Sequence, residues 1–405
     1  MYRLSDYGAM VCDRRRIEAY RRALAAVVTP SSVVLDLGAG IGTFTVLACK
    51  AGAARVYSVD PADVIALAGE IARANGVADR VRFLQKKAGE VELPEQVDVI
   101  VSDMAGALPL FREHLPSVIA ARDRFLKPGG ALIPRLDRLF CAPVSSPALY
   151  ASVVDPWDAL PDLDLAPARA MALQSMYPRA VTPEDLGGEA RVWAEVDYAT
   201  VTSPDAGATL EWPISSTVHA IALWFETTLH DGITSSSGPW SPKSVHATML
   251  LPLAQPLDGS VLRLTLDMTL ASGFYVTTWH ASTDRTEGVR QSTFLGEPRS
   301  SKSLLSRAPV AAPAASQPVA YKVPERVLAR RVAEELLLLD PASGIYHVLN
   351  ETGAQVWESL QQGKGPDAIA AAVAERYGVD TARTAEDVAV ILAELQEANL
   401  IEVLP

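Results

Sequence analysis

The sequence predicts an α/β domain on a parallel sheet, then an antiparallel β region, then a small domain of a hairpin and three helices. Three observations carry this. Short apolar runs alternate with helical stretches over residues 15–134. Period-two stretches between Gly, Ser and Pro clusters take over from about 136 to 295, and a Pro/Ala/Ser-rich segment sets apart the remainder. A length of 405 residues allows two or three domains at about 150 residues each.

Composition excludes several classes. With 49% hydrophobic and 21% charged residues, the chain is neither disordered nor fibrous. The net charge of -12 is uneven: residues 1–134 hold 17 basic and 15 acidic side chains, residues 321–405 hold 7 and 14. No segment supplies the basic stripe of a general nucleic-acid binder. Cys12, Cys49 and Cys141 are far apart and form no C-x-x-C pair, so neither a disulfide framework nor a structural metal site is expected. The first residues lack an apolar h-region, and no run of 18 apolar residues follows. A soluble, cytoplasmic protein with no membrane partner is the expectation.

In order, residues 16–27 read as a helix and residues 33–37 as a short buried strand ending in a glycine-rich turn. Residues 56–60 and 97–101 are two more apolar runs with helical segments between them, the pattern of βαβ units. Beyond residue 136, His219, Ile221, Leu223 and Phe225, and again Leu262, Leu264, Leu266 and Met268, alternate as strands of an antiparallel sandwich or barrel. The expected domains are 1–134, a β-barrel domain at 135–296, a linker at 297–320, and a last domain at 321–405. In the last, residues 331–339 and 345–349 make a hairpin. One helix carries Ala354, Val356, Trp357 and Leu360, and a second starts at Pro366. Thr384 with Asp387 is expected to cap a third bearing Val388, Ile391, Leu392 and Leu395. That is a small winged-helix domain, and its charge of -7 disfavours DNA.

Residues 35–44 read Leu-Asp-Leu-Gly-Ala-Gly-Ile-Gly-Thr-Phe. Glycines at 38, 40 and 42 let backbone N–H groups approach a ligand where a Cβ would block it. A dinucleotide fingerprint would put its third glycine at position 43, which is Thr43. Asp60 closes the next strand, placed to accept both hydroxyls of a ribose. This set resembles the S-adenosylmethionine (SAM) site of Rossmann-like class I methyltransferases. The resemblance implies that Asp36 helps hold the methionine end and Asp60 the ribose, with Gly38, Gly40, Gly42 and Thr43 also at the cofactor.

Upstream, Met10, Asp13, Arg16 and Tyr20 fall in an M-L-x-D-x-x-R-x-x-x-Y pattern. The chain thereby resembles protein arginine methyltransferases over about residues 7–295. That resemblance implies Met10 and Arg16 at the cofactor, with Arg16 on its carboxylate, and Ala88, Gly89 and Glu90 on the adenine side. In that family two glutamates on one loop clamp the substrate guanidinium. The matching loop is residues 102–114, where Asp103 stands for the first glutamate, Arg112 falls at the second, and Glu113 comes one residue late. A one-residue slip turns a helical side chain by about 100°. If Glu113 reaches the pocket, the acceptor is cationic, an arginine. If Arg112 points inward, its charge suits a carboxylate and gives a methyl ester. The family's Thr-His-Trp motif is replaced by Ser244-Val245-His246. His280 is a further catalytic candidate, the alternative for it and for His114 being a satisfied loop histidine.

Residues 346–357, Tyr-His-Val-Leu-Asn-Glu-Thr-Gly-Ala-Gln-Val-Trp, with residues 374–380, resemble the PqqD family of recognition elements for ribosomally made, modified peptides (RiPPs). The resemblance implies that a leader peptide adds a strand to the hairpin and lays side chains on the third helix. Tyr346, Val348, Val388, Leu392 and Leu395 are the expected contacts. Such tethering raises the effective concentration of the attached core peptide. Together these readings predict a SAM-dependent methyltransferase acting on a precursor peptide, at an arginine in first place. Ester formation and a non-catalytic scaffold that binds SAM are the alternatives. Residues 157–177 could form an arm for a homodimer.

Overall fold

The computed structural model describes residues 3–160, 162–241, 244–271, 273–293, 321–324, 326–332, 335–340, 345–377, 380–398 and 400–403. The chain splits into two compact units, Met1–Pro298 and Arg299–Pro405. The segment 297–320, expected as a linker, lies outside the described residues.

In the first unit, α1 (Leu4–Cys12) precedes α2 (Arg14–Val27), whose N-terminus Asp13 caps by accepting the Arg16 amide at 3.2 Å. Arg16, Ala19, Tyr20, Ala23 and Leu24 form the buried face of α2, at the i, i+3, i+4, i+7, i+8 spacing of a helix packed on one side. Then follow β1 (Val33–Leu37), α3 (Thr43–Lys50), β2 (Arg55–Val59), α4 (Ile65–Ala74), β3 (Val81–Leu84), β4 (Val97–Ser102), α5 (His114–Phe125) and β5 (Leu126–Ile133). The five strands form a parallel sheet in the order β3-β2-β1-β4-β5. All five residues of β1 are buried, which explains a continuous apolar run instead of alternation. Strand order reverses between β1 and β4, so a crevice opens beyond their carboxyl ends, where open α/β sheets bind ligands.

The antiparallel region comprises β6 (Leu136–Val144), α6 (Pro147–Val154), α7 (Ala166–Ala172), β7 (Tyr177–Arg179), β8 (Arg191–Asp197), β9 (Ala206–Pro213), β10 (Val218–His230), β11 (Ile233–Ser236), β12 (Thr248–Leu257), β13 (Val261–Ala271), β14 (Phe274–Thr283) and β15 (Arg290–Ser292). It forms two sheets. One runs β7-β12-β10-β6-β8 with β11 on β10, the other β15-β14-β13-β9. Their inward residues Leu223, Leu251, Leu264 and Trp279 join Leu35, Ile100 and Leu115 of the α/β region in one buried cluster. Residues 1–134 and 135–296 therefore share a core, and the chain passes from one to the other between β5 and β6.

The second unit contains β16 (Tyr321–Lys322), β17 (Leu328–Val332), β18 (Glu335–Asp340), β19 (Ile345–Leu349), α8 (Glu351–Gln361), α9 (Pro366–Tyr377), α10 (Thr381–Glu397) and β20 (Glu402–Val403). The expected hairpin is the β18–β19 pair, and β17 extends it to a three-stranded sheet in the order β17-β18-β19. Asn350 caps α8 by accepting the Gly353 amide at 2.9 Å. The expected cap of the third helix is corrected: α10 begins at Thr381, and the Thr384 hydroxyl donates to the Asp380 carbonyl at 2.7 Å from within it. Among the described residues, no helix is long and apolar enough to cross a membrane.

Candidate functional site

The glycine turn after β1 is built as its sequence requires. Gly38, Gly40 and Gly42 have φ of 75°, 53° and 79°, a region that side chains disfavour. A Cβ on Gly40 would stand 2.7 Å from the Tyr7 ring of α1, and one on Gly42 would meet Ala68 of α4 at 2.9 Å. Gly42 passes the chain into α3 at Thr43. Asp60 closes the turn: its carboxylate accepts the Gly40 amide at 2.9 Å and the Ala62 amide at 2.8 Å. Asp36 is 1% exposed, takes the Thr45 hydroxyl at 2.5 Å, and leaves Oδ1 without a partner among the described residues. Burial pushes its carboxyl up to about 7. Ala88, Gly89 and Glu90 form a single 3₁₀ turn, held by Arg124 on the Gly89 and Val91 carbonyls.

Beyond the end of β4 lies a cavity. Asp103 follows Ser102 and is bound from both sides by α2: Arg16 Nη1 donates to Oδ2, and the Tyr20 hydroxyl donates to Oδ1 at 3.0 Å. The other Arg16 terminal nitrogen donates to the Met10 carbonyl at 2.8 Å, which ties α1 into the same arrangement. Arg16 Nε and Ser102 Oγ are buried without partners among the described residues. From the antiparallel side come His246, Asp137 and Tyr198. Asp137 accepts the Tyr198 hydroxyl at 2.5 Å and also the Thr227 hydroxyl, and burial raises it to about 6. Burial lowers His246 to about 4, so its imidazole is neutral. The loop carrying His246 is latched to α2, since Asp13 Oδ2 accepts the Ser244 hydroxyl at 2.8 Å and the Val245 amide at 3.1 Å.

The other catalytic candidates are placed elsewhere. Arg112 is exposed, has φ 44°, the only positive φ at a non-glycine among the described residues, and lies 5.2 Å from the Phe111 ring. Glu113 is exposed at the N-cap position of α5, with Oε1 3.1 Å from where a Cβ on Gly273 would stand. The expected pairing of Asp103 with Glu113 is thus corrected: the turn at Arg112 points Glu113 outward and His114, the next residue, inward. His280 lies on β14, with Nε2 3.1 Å from the Gly288 carbonyl and 3.3 Å from Glu287, and does not line the cavity.

Sequence reasoning missed Asp137, Tyr198 and Thr227. The one signal was an acidic residue inside the apolar stretch that became β6. In the second unit, Val388, Leu392 and Leu395 are corrected as contact residues, because they are 1 to 3% exposed in that unit's own core. Among the described residues of α10, Val390 is a large apolar side chain left exposed, at 48%. Tyr346 and Val348 lie on β19, paired with Leu339 and Leu337; their side chains lie outside the description. Among the described residues no cluster of His, Cys, Asp or Glu could hold a metal ion.

Residues 34–130 match the family described as a methyltransferase domain, and residues 335–401 match coenzyme PQQ synthesis protein D (PqqD). Protein arginine N-methyltransferase 6 of Xenopus laevis is 31% identical over 272 residues, which cover 63% of this chain and 80% of that protein. The chain belongs to the protein arginine N-methyltransferase family. A probable protein arginine N-methyltransferase 6 of Arabidopsis thaliana is 33% identical over 247 residues, 58% of this chain. The match spans only 57% of that relative's length. The fold is shared with solved members of the family. One is the Trypanosoma brucei PRMT1 enzyme-prozyme heterotetrameric complex with AdoHcy, at TM-score 0.64 and 24% identity over 71% of this chain and 96% of that one. Another is a PRMT6 crystal structure, at TM-score 0.58 and 20% identity over 69% of this chain and 100% of that one.

Proposed function

We propose that the chain is a SAM-dependent methyltransferase of ribosomally made precursor peptides, acting on an arginine side chain. The observation that carries this reading is the coexistence, in one chain of the arginine methyltransferase family, of the cavity at Asp103 and a C-terminal PqqD domain.

The residues present fit SAM. Asp36 Oδ1 is a buried acceptor suited to an ammonium, and Arg16 Nε is a buried donor suited to a carboxylate; neither has a partner among the described residues. Asp60, at the carboxyl edge of β2, has lone pairs left for a ribose beyond those used by Gly40 and Ala62. Bound there, SAM supplies an electrophilic methyl group. Asp103 then orients the acceptor nitrogen, with Arg16 and Tyr20 fixing the carboxylate. The exposed position of Arg112 gives no support to a carboxylate acceptor.

The C-terminal unit would hold the leader peptide. Among the described residues β17 and β19 are open edges of their sheet, which offer a strand partner, and Val390 offers an apolar contact on α10. A second copy of the chain is a further partner in this reading, since Leu160 and Leu163 of the expected arm are 54% and 58% exposed. Calorimetry with SAM and fragmentation mass spectrometry of the product test the reading. Absence of SAM binding, or a methyl group on a residue other than arginine, would overturn it.

A further inference from the structure

His114 is 3% exposed, lines the cavity, and makes one hydrogen bond with its ring: Nδ1 lies 3.0 Å from the Pro109 carbonyl. A carbonyl oxygen has no proton to give, so Nδ1 carries the ring proton and Nε2 presents a bare lone pair. Nε2 is buried with no partner among the described residues. A buried acceptor left unpaired is costly, and in a cavity it is satisfied by a water or by a donor on a bound ligand.

The surrounding groups identify that donor. The Tyr20 hydroxyl is spent on Asp103 and the Tyr198 hydroxyl on Asp137. Among the described residues, Arg16 Nε, which the proposed function gives to the cofactor carboxylate, and Ser102 Oγ at the end of β4 are the buried cavity donors left over. His246 repeats the His114 arrangement, its Nδ1 held by the Gly106 carbonyl at 2.8 Å. The acceptor side of the cavity therefore offers lone pairs and the Asp103 carboxylate, which suits a cationic group rich in N–H and disfavours a carboxylate.

We propose that His114 Nε2 accepts a hydrogen bond from an N–H of the group to be methylated, opposite Asp103, so that a neutral imidazole takes the place of a second carboxylate. This rests on the reading of the cavity as an arginine site. Burial holds the imidazole down at about 4, so the lone pair is available at neutral pH.

The test uses the full chain, labelled with ¹⁵N-histidine and loaded with S-adenosylhomocysteine. It is titrated with the tripeptide Gly-Arg-Gly, the His114 signals being assigned by their loss in His114→Asn. The Nε2 resonance is expected to move while Nδ1 keeps its proton. An unmoved Nε2 at saturating tripeptide overturns the inference. Two variants separate contact from structure. His114→Asn keeps an N–H near the Nδ1 position and has no atom at Nε2, whereas His114→Gln places an amide oxygen near Nε2. Methyl transfer is expected to fall at least about ten-fold in the Asn variant and to stay within a few-fold in the Gln variant. The reverse order assigns His114 to the Pro109 bond alone and overturns the proposal. Arginine methylation that survives His114→Asn also overturns it while leaving the proposed function standing. Methylation of another residue with the Asn/Gln contrast intact supports the His114 contact and overturns the arginine reading.

Discussion

Arg16 of α2 and Asp103 beyond β4, 87 residues apart, form an ion pair with only 6% and 13% of their side chains exposed. Because the Asp103 carboxylate is also held by Tyr20, it is fixed before any acceptor arrives. Asp103→Asn leaves the buried guanidinium without its counter-charge. We expect a loss of about 3 kcal/mol in stability and loss of methyl transfer, with SAM binding retained by calorimetry. A variant that melts and turns over like the parent would remove Asp103 from this role.

Local rules made part of this legible. The strand at 33–37 and the glycine turn at 38, 40 and 42 were legible because strand and turn are each decided within a few residues, whereas the bond of Asp60 to the Gly40 amide was not read. The resemblance placed Arg16 at the cofactor, but its pairing with Asp103 was not legible, since that meeting depends on how α2 packs against the sheet. The placement of Arg112, Glu113 and His114 follows the backbone of their loop, with a φ of 44° at Arg112, which side-chain patterning does not encode. Val388, Leu392 and Leu395 illustrate a second limit. Helical spacing shows that such residues share a face, and not whether the chain's own core or a ligand covers it.

Asp60→Ala would leave the Gly40 and Ala62 amides without their acceptor and loosen the glycine turn. At about 1–3 kcal/mol for unpaired groups of this kind, SAM affinity should fall about 5- to 150-fold. The exposed Glu90 serves as the comparison, with Glu90→Ala expected to change affinity less. Equal losses in the two variants would contradict the assignment of Asp60.

Asp137 gives a pH-dependent prediction. Burial raises its carboxyl from 3.8 to about 6, so between those values the folded chain binds more protons than the unfolded one. Its contribution therefore lowers stability as pH rises through that window. His246, lowered to about 4, acts in the opposite sense, destabilising the fold as pH falls below 6.5. The readout is thus a difference. Melting temperatures of Asp137→Asn and the parent, compared from pH 4 to 7, should shift in favour of the variant as pH rises. Parallel curves would show that Asp137 titrates normally.

In the second unit, Trp357 is fully buried among Ile369, Val388 and Leu392. Trp357→Ala should cost that unit about 3–5 kcal/mol. Hydrogen exchange should then report loss of protection in residues 335–401, with SAM affinity unchanged. Unaltered protection there would mean that the core drawn for this unit is wrong.

The central claim, a methyltransferase guided by a leader peptide, is tested most directly by intact mass spectrometry of a precursor peptide with a leader segment and an arginine-containing core. The precursor is incubated with the full protein and SAM, with and without an excess of its isolated leader segment as competitor. The account predicts one or more added methyl masses on an arginine, suppressed by the free leader. Methylation that free leader does not affect, or an unchanged precursor despite bound SAM, would contradict it.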